Sequence, residues 1–177
     1  MTGQSSNGTN NDYLTIKYDT NGNTIWQKVW DGGNNDAGCG IAVDSSGNVY
    51  VTGCSSNGAS YWDCLTIKYN STGDTVWQKV WDGGSDDIGH GIAVDDTGNV
   101  YVTGQSSNGA DNDYLTIKYN GTTGEIIWQK IYNGVNYDYG EGIAVDSSGN
   151  VYVTGGSCKS VSYPWVYDYL TIKYRQY

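Results

Sequence analysis

One pattern of 14 residues occurs three times in this chain of 177 residues and constrains its fold more than any other feature. It reads Gly-Ile-Ala-Val-Asp-x-x-Gly-Asn-Val-Tyr-Val-Thr-Gly in the segments 40–53, 91–104 and 142–155, each 51 residues after the last. A period near 50 residues indicates an array in which each copy is one supersecondary unit. Neighbouring copies must therefore pack on one another to bury a shared core.

Each unit contains four short segments with the composition of β-strands. In the second unit they are 40–44, 49–53, 63–69 and 75–81, rich in Val, Ile, Thr, Tyr and Trp. The links carry turn residues, as in Asp-Ser-Ser-Gly-Asn over 44–48. Because every link is too short for a crossover helix, we expect an antiparallel meander of four strands. Such a unit is one blade of a β-propeller, and the predicted fold class is all-β.

The side chains of these strands are consistent with blades that pack face to face. The first strand places Ile41 and Val43 on one face and Gly40 and Ala42 on the other, so a large face of one blade can meet a small face of the next. We expect the aromatic residues of the fourth strand to fill the wedge between blades at the rim, the alternative being exposed rings that stack on sugars. These residues are Trp26, Trp30, Trp77, Trp81, Trp128 and Tyr132.

The repeated segments Gly-Ile-Ala-Val-Asp, Gly-Asn-Val-Tyr-Val-Thr-Gly, Asp-Tyr-Leu-Thr-Ile-Lys-Tyr and Trp-Gln-Lys resemble the bacterial and archaeal SBBP repeat, the "seven-bladed β-propeller" repeat. The resemblance covers nearly the whole chain. It implies a propeller in a secreted or surface-attached setting, so the expected location is extracellular or at the cell surface. It implies no catalytic residues.

The count of units predicts an incomplete ring of about three and a half blades in one domain. The expected boundaries are a partial blade over 1–33, blades over 34–84 and 85–135, and a partial blade over 136–177. The first unit lacks its inner strand and the last lacks its outer strand, which would expose two apolar faces. We therefore expect self-association, either as a closed homodimer ring of six to eight blades or as a head-to-tail filament. The strand 24–30 of one chain is expected to complete the partner's final sheet, and a compact monomer is a third option.

The charge balance excludes several kinds of partner. Nineteen acidic residues against nine basic ones give a net charge of −10. Nucleic acid requires clustered Lys and Arg, and an anionic membrane surface attracts them. No apolar run approaches the roughly 20 residues of a membrane-spanning helix. We expect no nucleic-acid partner, no membrane insertion and no cofactor, and a glycan or protein ligand remains open.

The segments that lead into the first strands supply the candidate ligand-binding residues. Inner strands line the axis of a propeller, so these residues are expected around one mouth of its channel. Asp36, Asp87 and Asp138 would form an acidic ring there, and Cys39, His90 and Glu141 occupy the one variable position of the pattern. The two interpretations are a site for a cation or polar ligand, and aspartates that cap the turn before each strand. The single histidine is weak evidence for zinc, so a metal site stays undetermined.

Four cysteines lie outside the repeated pattern. Cys54 and Cys64 flank one hairpin loop and are close enough in an antiparallel pair for a disulfide, which would fit an oxidising exterior. Cys39 and Cys158 have no obvious partner.

The loop within 155–167 is longer than its counterparts and contains the sole proline. Its aromatic residues Tyr163, Trp165 and Tyr167 could bind a glycan or protein, or cover the unfinished end of the last sheet. No nucleophile elbow, phosphate loop or second histidine is present, so we predict a non-enzymatic protein.

Overall fold

The computed structural model describes residues 1–56, 58, 61–160 and 162–175, and every regular element in this part of the chain is a β-strand. No helix within these residues is long and apolar enough to cross a membrane. The strands in chain order are β1 Thr2–Ser6, β2 Asn11–Tyr18, β3 Thr24–Trp30, β4 Asp36–Val43, β5 Val49–Ser56, β6 Trp62–Tyr69, β7 Thr75–Trp81, β8 Asp87–Val94, β9 Val100–Ser107, β10 Asn112–Tyr119, β11 Ile126–Tyr132, β12 Asp138–Val145, β13 Val151–Cys158 and β14 Tyr167–Tyr174.

The strands form four antiparallel sheets, which we number as blades 1 to 4. Blade 1 has the order β1-β2-β3, blade 2 β4-β5-β6-β7, blade 3 β8-β9-β10-β11 and blade 4 β12-β13-β14. The all-β propeller fold and the meander within each blade are thus confirmed. Within the described residues, blade 1 has no inner strand and blade 4 no outer one, and the blades form an open arc in which each packs on the next.

The inner strands begin about four residues earlier than the sequence predicts. β4 starts at Asp36 rather than at Gly40, and Asp36 pairs with Ser55 of β5. The first half of this strand is rich in glycine and contains a bulge at Cys39, so it lacks the alternation that marks a strand in sequence. Pairing with β5, rather than local propensity, makes it a strand.

Inner strands of successive blades approach closely because glycine occupies their contact positions. A Cβ atom at Gly40 of β4 would lie 2.7 Å from the carbonyl oxygen of His90 in β8 and 3.3 Å from Cγ2 of Ile92. A Cβ atom at Gly91 would lie 2.7 Å from the carbonyl oxygen of Glu141 in β12. The predicted packing of a large face on a small face is therefore confirmed at these strands.

Two apolar residues of the first repeat are exposed because their strand lies near one end of the arc. Ile41 and Val43 of β4 are 40% and 62% exposed, whereas the equivalent Ile92 of β8 is buried against blade 2. Blade 1 has no inner strand to cover them. Their exposure follows from their place in the arc rather than from their sequence.

The rim aromatics pack between blades, as predicted. Trp26 and Trp77 are buried. Their indole N–H groups donate to the carbonyl oxygens of Ser71 and Gly121 in the following blade, at 3.2 and 3.1 Å. The other rim aromatics are buried or partly buried at these two junctions and at the junction of blades 3 and 4: Trp30, Trp81, Trp128 and Tyr132.

An aspartate closes the turn between the inner two strands of each complete repeat. In blade 3, Asp95 Oδ1 accepts the backbone N–H groups of Thr97 and Asn99, both at 2.9 Å, and Oδ2 accepts the hydroxyl of buried Tyr101 at 2.7 Å. Gly98 has a φ of 86°, a conformation that favours glycine. Asp44 and Asp146 make the equivalent contacts in blades 2 and 4. The repeated pattern is therefore retained for turn geometry and packing.

Candidate functional site

The three variable residues of the repeated pattern occupy equivalent β-bulges. The pairing between each inner strand and its neighbour skips Cys39 in β4, His90 in β8 and Glu141 in β12. Since β4 packs on β8 and β8 on β12, the structure places these predicted site residues on adjacent inner strands. Cys39 and Glu141 are exposed. His90 Nε2 is buried and has no hydrogen-bond partner among the described residues.

The predicted acidic ring takes a different form in the structure. Asp36, Asp87 and Asp138 are fully buried, at 0% exposure, rather than arranged around an open mouth. Each accepts a hydrogen bond from the backbone N–H of the glycine four residues earlier, which draws the carboxylate into the turn: Gly32, Gly83 and Gly134 respectively. Each aspartate therefore belongs to its own junction, where the outer strand of one blade leads into the inner strand of the next.

Two of these junctions contain a triad of carboxylates that the sequence reasoning missed. Each triad combines an aspartate from the third strand of one blade, one from the loop after its outer strand, and one from the start of the next inner strand. The triads are Asp12, Asp31 and Asp36, and Asp63, Asp82 and Asp87, with one carboxylate oxygen of each residue within 4.8 Å of the others. The repeated recurrence of aspartate at these three positions is the sequence signal that could have identified them.

The environment of each triad disfavours a charged carboxylate at its buried member. Burial, reinforced by the charges of Asp31 and Asp12, raises the pKa of Asp36, while the Gly32 N–H and the nearby Ser55 hydroxyl oppose the shift. Burial likewise raises the pKa of Asp87 to about 6. Three carboxylates are thus held close together at a partly desolvated position.

The third junction has one carboxylate fewer at the positions of the triad, and its loop also has Val135 in place of the second glycine of the other two loops. Its residues are Asp113, Asn133 and Asp138, so an amide replaces the exposed carboxylate of the triads. Asn133 makes a hydrogen bond with Asp113, and burial raises the pKa of Asp113. The chain therefore contains a natural comparison between a triad and a junction with one carboxylate fewer.

The cysteines form a closer group than the sequence indicates. Cys54 and Cys64 lie directly opposite each other in the pairing of β5 with β6, and both are buried free thiols, so the bridge between them stays a prediction. Cys39 lies close enough to Cys54 for a side-chain hydrogen bond, a contact that the sequence reasoning did not foresee. The bulge at position 39 explains this contact, because it turns the side chain out of the regular alternation.

Cys39 should react with iodoacetamide before the other cysteines. It is exposed while Cys54, Cys64 and Cys158 are buried, and the hydrogen bond from Cys54 lowers the pKa of Cys39 to about 7. About half of the Cys39 side chain is then thiolate at neutral pH, which gives roughly a threefold rate advantage over an ordinary thiol after its lower nucleophilicity is counted. Peptide mass spectrometry after brief labelling at pH 7 measures this order. Replacement of Cys54 with Ala should slow labelling of Cys39, and equal labelling of Cys39 and Cys158 would contradict the assignment.

The aromatic residues of the long loop lie against the start of the last inner strand. Trp165 contacts Tyr137 edge-on, with ring centroids 5.7 Å apart, and Tyr167 contacts Tyr139 at 5.9 Å. Tyr163 is 85% exposed. Residue 161 of this loop lies outside the described part of the chain. The contacts of Trp165 and Tyr167 are therefore consistent with a loop that covers the end of the last sheet. Ligand binding by this loop stays a prediction.

Comparison with known families agrees with the fold. A family model described as a beta-propeller repeat, SBBP, matches residues 31–61, 82–110 and 127–157, which together make up more than half of the chain. Each match joins the end of one blade, or the loop after it, to the inner two strands of the next. No protein with a curated description matches the chain.

Proposed function

Because the chain belongs to the SBBP family of beta-propeller repeats, we propose that it is a non-enzymatic structural module that self-associates through the two outermost faces of its arc. The proposed setting is extracellular or at the cell surface, as the resemblance of its repeats implies. The partner in this proposal is a second copy of the same chain. The observation that carries it is the exposure of one tyrosine.

Tyr169 in blade 4 is 79% exposed, although the same position is fully buried in blades 1 and 3. There the tyrosines are Tyr13 and Tyr114, both at 0% exposure. A Cβ atom at Gly38 would lie 2.7 Å from the Tyr13 ring, and one at Gly140 would lie 2.6 Å from the Tyr114 ring. Each buried tyrosine therefore packs on a glycine of the following inner strand. Tyr169 has the same side chain, but no inner strand follows blade 4 in the described residues.

The opposite end of the arc exposes the complementary surface. Tyr18 of blade 1 is 43% exposed, while its equivalents Tyr69 and Tyr119 are 2% and 0% exposed. Leu14 and Ile16 lie on the same face of β2 and are partly exposed. In blades 2 and 3 the corresponding leucines and isoleucines are fully buried in the junction with the preceding blade: Leu65, Ile67, Leu115 and Ile117.

These two faces match each other because the chain already packs the same pair of faces at its internal junctions. The face of blade 3 that carries Tyr114 packs on the face of blade 4 that carries Leu170, Ile172 and Tyr174. We call the exposed face of blade 4 that carries Tyr169 the Tyr169 face. We call the exposed face of blade 1 that carries Leu14, Ile16 and Tyr18 the Tyr18 face. Contact between the Tyr169 face of one copy and the Tyr18 face of another would repeat the part of an internal junction that the second and third strands form, and would bury apolar surface.

The proposed contact is packing of faces rather than donation of a strand. The strand expected to complete the partner's sheet, 24–30, is β3, and it pairs with β2 along its length within its own chain. Donation would require those backbone hydrogen bonds to break. Packing of the Tyr169 face on the Tyr18 face leaves every internal sheet intact.

Light scattering after size-exclusion chromatography tests this proposal. A closed pair would give twice the monomer mass of 19.2 kDa, and a head-to-tail filament would grow with concentration. A 19.2 kDa species at all concentrations would overturn the proposal.

A second candidate function is binding of a carbohydrate or another polar ligand beside Cys39, His90 and Glu141. Its support is the row of equivalent bulges, in which Cys39 and Glu141 are exposed, together with the buried Nε2 atom of His90, which lacks a hydrogen-bond partner among the described residues and would gain one if a ligand hydroxyl displaced the groups that cover it. We expect a glycan array to show binding that His90→Ala weakens by about tenfold, the value of one lost hydrogen bond to a polar group. An array without binding, or binding that His90→Ala leaves unchanged, would remove this candidate.

A further inference from the structure

We propose that the two carboxylate triads, Asp12–Asp31–Asp36 and Asp63–Asp82–Asp87, are binding sites for a hard divalent cation of the Ca²⁺ class, one ion at each of two blade junctions. This property does not depend on self-association.

The spacing of the oxygens fits such an ion. In each triad one carboxylate oxygen of every residue lies within 4.8 Å of the others. Ca²⁺ takes six to eight oxygen ligands at about 2.3–2.6 Å, so two oxygens on opposite sides of the same ion are about 4.6–5.2 Å apart and all other pairs are closer. Mg²⁺ holds its ligands at about 2.0–2.1 Å and requires a stricter octahedron. The triads thus provide three ligands that suit Ca²⁺, with water for the remaining positions.

The buried member of each triad has one oxygen that does not cap the turn, although the Ser55 hydroxyl lies near Asp36 and the Ser106 hydroxyl near Asp87. Asp36 Oδ2 accepts the Gly32 N–H at 2.8 Å, and Asp87 Oδ2 accepts the Gly83 N–H at 2.6 Å. Oδ1 of each residue is buried and makes no hydrogen bond to any described residue, although both side chains are 0% exposed. Turn capping explains the Oδ2 atoms only. Asp138 Oδ1 at the third junction is also buried and without a hydrogen-bond partner among the described residues, so what distinguishes the two triads is their third carboxylate. A buried, charged oxygen of this kind is costly unless a cation binds to it.

The other members complete a site that an ion can enter. Asp12 and Asp63 are nearly buried, at 5% and 7% exposure, whereas Asp31 and Asp82 are exposed. Each triad therefore has two buried carboxylates on its inner side and one exposed carboxylate on the side that is open to water. Because its ligands come from two adjacent blades, an ion there would join the outer strand of one blade to the inner strand of the next. Binding should then increase the stability of the whole arc.

The test begins with the full chain, stripped of metal with EDTA and titrated with Ca²⁺ by calorimetry. We expect two ions per chain and a higher melting temperature with Ca²⁺ than with EDTA. Tb³⁺ gives an independent measurement, because the Trp30 and Trp81 rings lie against Gly32 and Gly83 beside the two sites and can sensitise its emission. A metal-free chain that binds neither Ca²⁺ nor Tb³⁺ would overturn the proposal.

The third junction provides the matched variants. Asp31→Asn and Asp82→Asn each reproduce the residue that the chain already has at Asn133, so the loop is expected to fold. Each single variant should lose one ion, and the double variant should lose at least tenfold in Ca²⁺ affinity and the Ca²⁺-dependent rise in melting temperature. The reverse variant, Asn133→Asp, should add a third ion. Unchanged stoichiometry in a double variant whose circular dichroism matches the original chain would contradict the sites, and so would Asn133→Asp without a gain.

Discussion

Glutamate in place of Tyr169 should reduce the associated chain to a monomer of 19.2 kDa in light scattering. The ring is 79% exposed in the single chain, so the change costs little within blade 4. In the proposed contact the same position lies beside the apolar Tyr18 face of the partner, where an unpaired carboxylate would lose part of its hydration. Leaving a charge buried and unpaired at an interface costs about 2–5 kcal/mol, so association should weaken by about 30-fold or more.

A matched control separates this effect from added charge alone. Tyr163 is 85% exposed and lies in the long loop, outside the Tyr169 face. Tyr163→Glu adds the same charge to the same blade and should leave the mass of the assembly unchanged. If Tyr163→Glu and Tyr169→Glu reduced the mass equally, general repulsion would be the cause and the assigned face would be wrong.

Mixing two variants tests which faces meet. Tyr18→Glu should also produce a monomer, because it places a carboxylate on the face of the other end of the arc. Equal amounts of Tyr18→Glu and Tyr169→Glu retain one intact face each, so the mixture should form pairs that cannot grow further. A head-to-head contact between two Tyr169 faces predicts instead that Tyr18→Glu remains associated.

The parts of the fold that follow from sequence are those whose chemistry is local. The turn over 44–48 was predictable because Asp44 caps it and Gly47 takes a positive φ, both within five residues of sequence. The order of strands in each blade was predictable for the same reason, since short turns allow only antiparallel neighbours. The repeat period then supplied the number of blades without any knowledge of their packing.

The parts that did not follow depend on contacts between blades. Asp12, Asp31 and Asp36 are separated by a whole strand and two loops, and only the junction of blades 1 and 2 brings their oxygens together. The contact of Cys39 with Cys54 depends on a bulge, which shifts a side chain by one position and leaves no periodic signal. The buried position of Asp36 required the strand to begin before the glycine-rich segment, where pattern and propensity both indicate a turn.

Alanine at Gly104 should strongly destabilise this chain, because the added methyl group would meet the backbone of the neighbouring strand. Gly104 lies in β9 opposite Gly89, next to the bulge of β8. A Cβ atom there would lie 1.9 Å from the carbonyl oxygen of Ile88 and 2.9 Å from its carbonyl carbon. No real Cβ contact is this short, and the obstacle is backbone rather than the end of a flexible side chain.

Relief of that clash requires β8 and β9 to separate at the bulge, which breaks pairing in the inner half of blade 3. Overpacking of a core side chain costs about 1–3 kcal/mol, and a clash with fixed backbone exceeds that range. We expect Gly104→Ala to lower the free energy of unfolding by about 4 kcal/mol or more, a large fraction of the roughly 5–15 kcal/mol that stabilises a typical domain. Urea denaturation followed by tryptophan fluorescence measures the change.

Gly109→Ala is the matched control, because it adds the same methyl group in the same blade without a clash. Gly109 has a φ of 88° and nothing within 4 Å of its Cβ position, so only backbone strain opposes the alanine. That strain amounts to about 1–2 kcal/mol. A Gly104→Ala variant no less stable than Gly109→Ala would show that β8 and β9 can move apart at the bulge. The three bulges, and with them the row of Cys39, His90 and Glu141, would then be adjustable rather than fixed by the glycines opposite them.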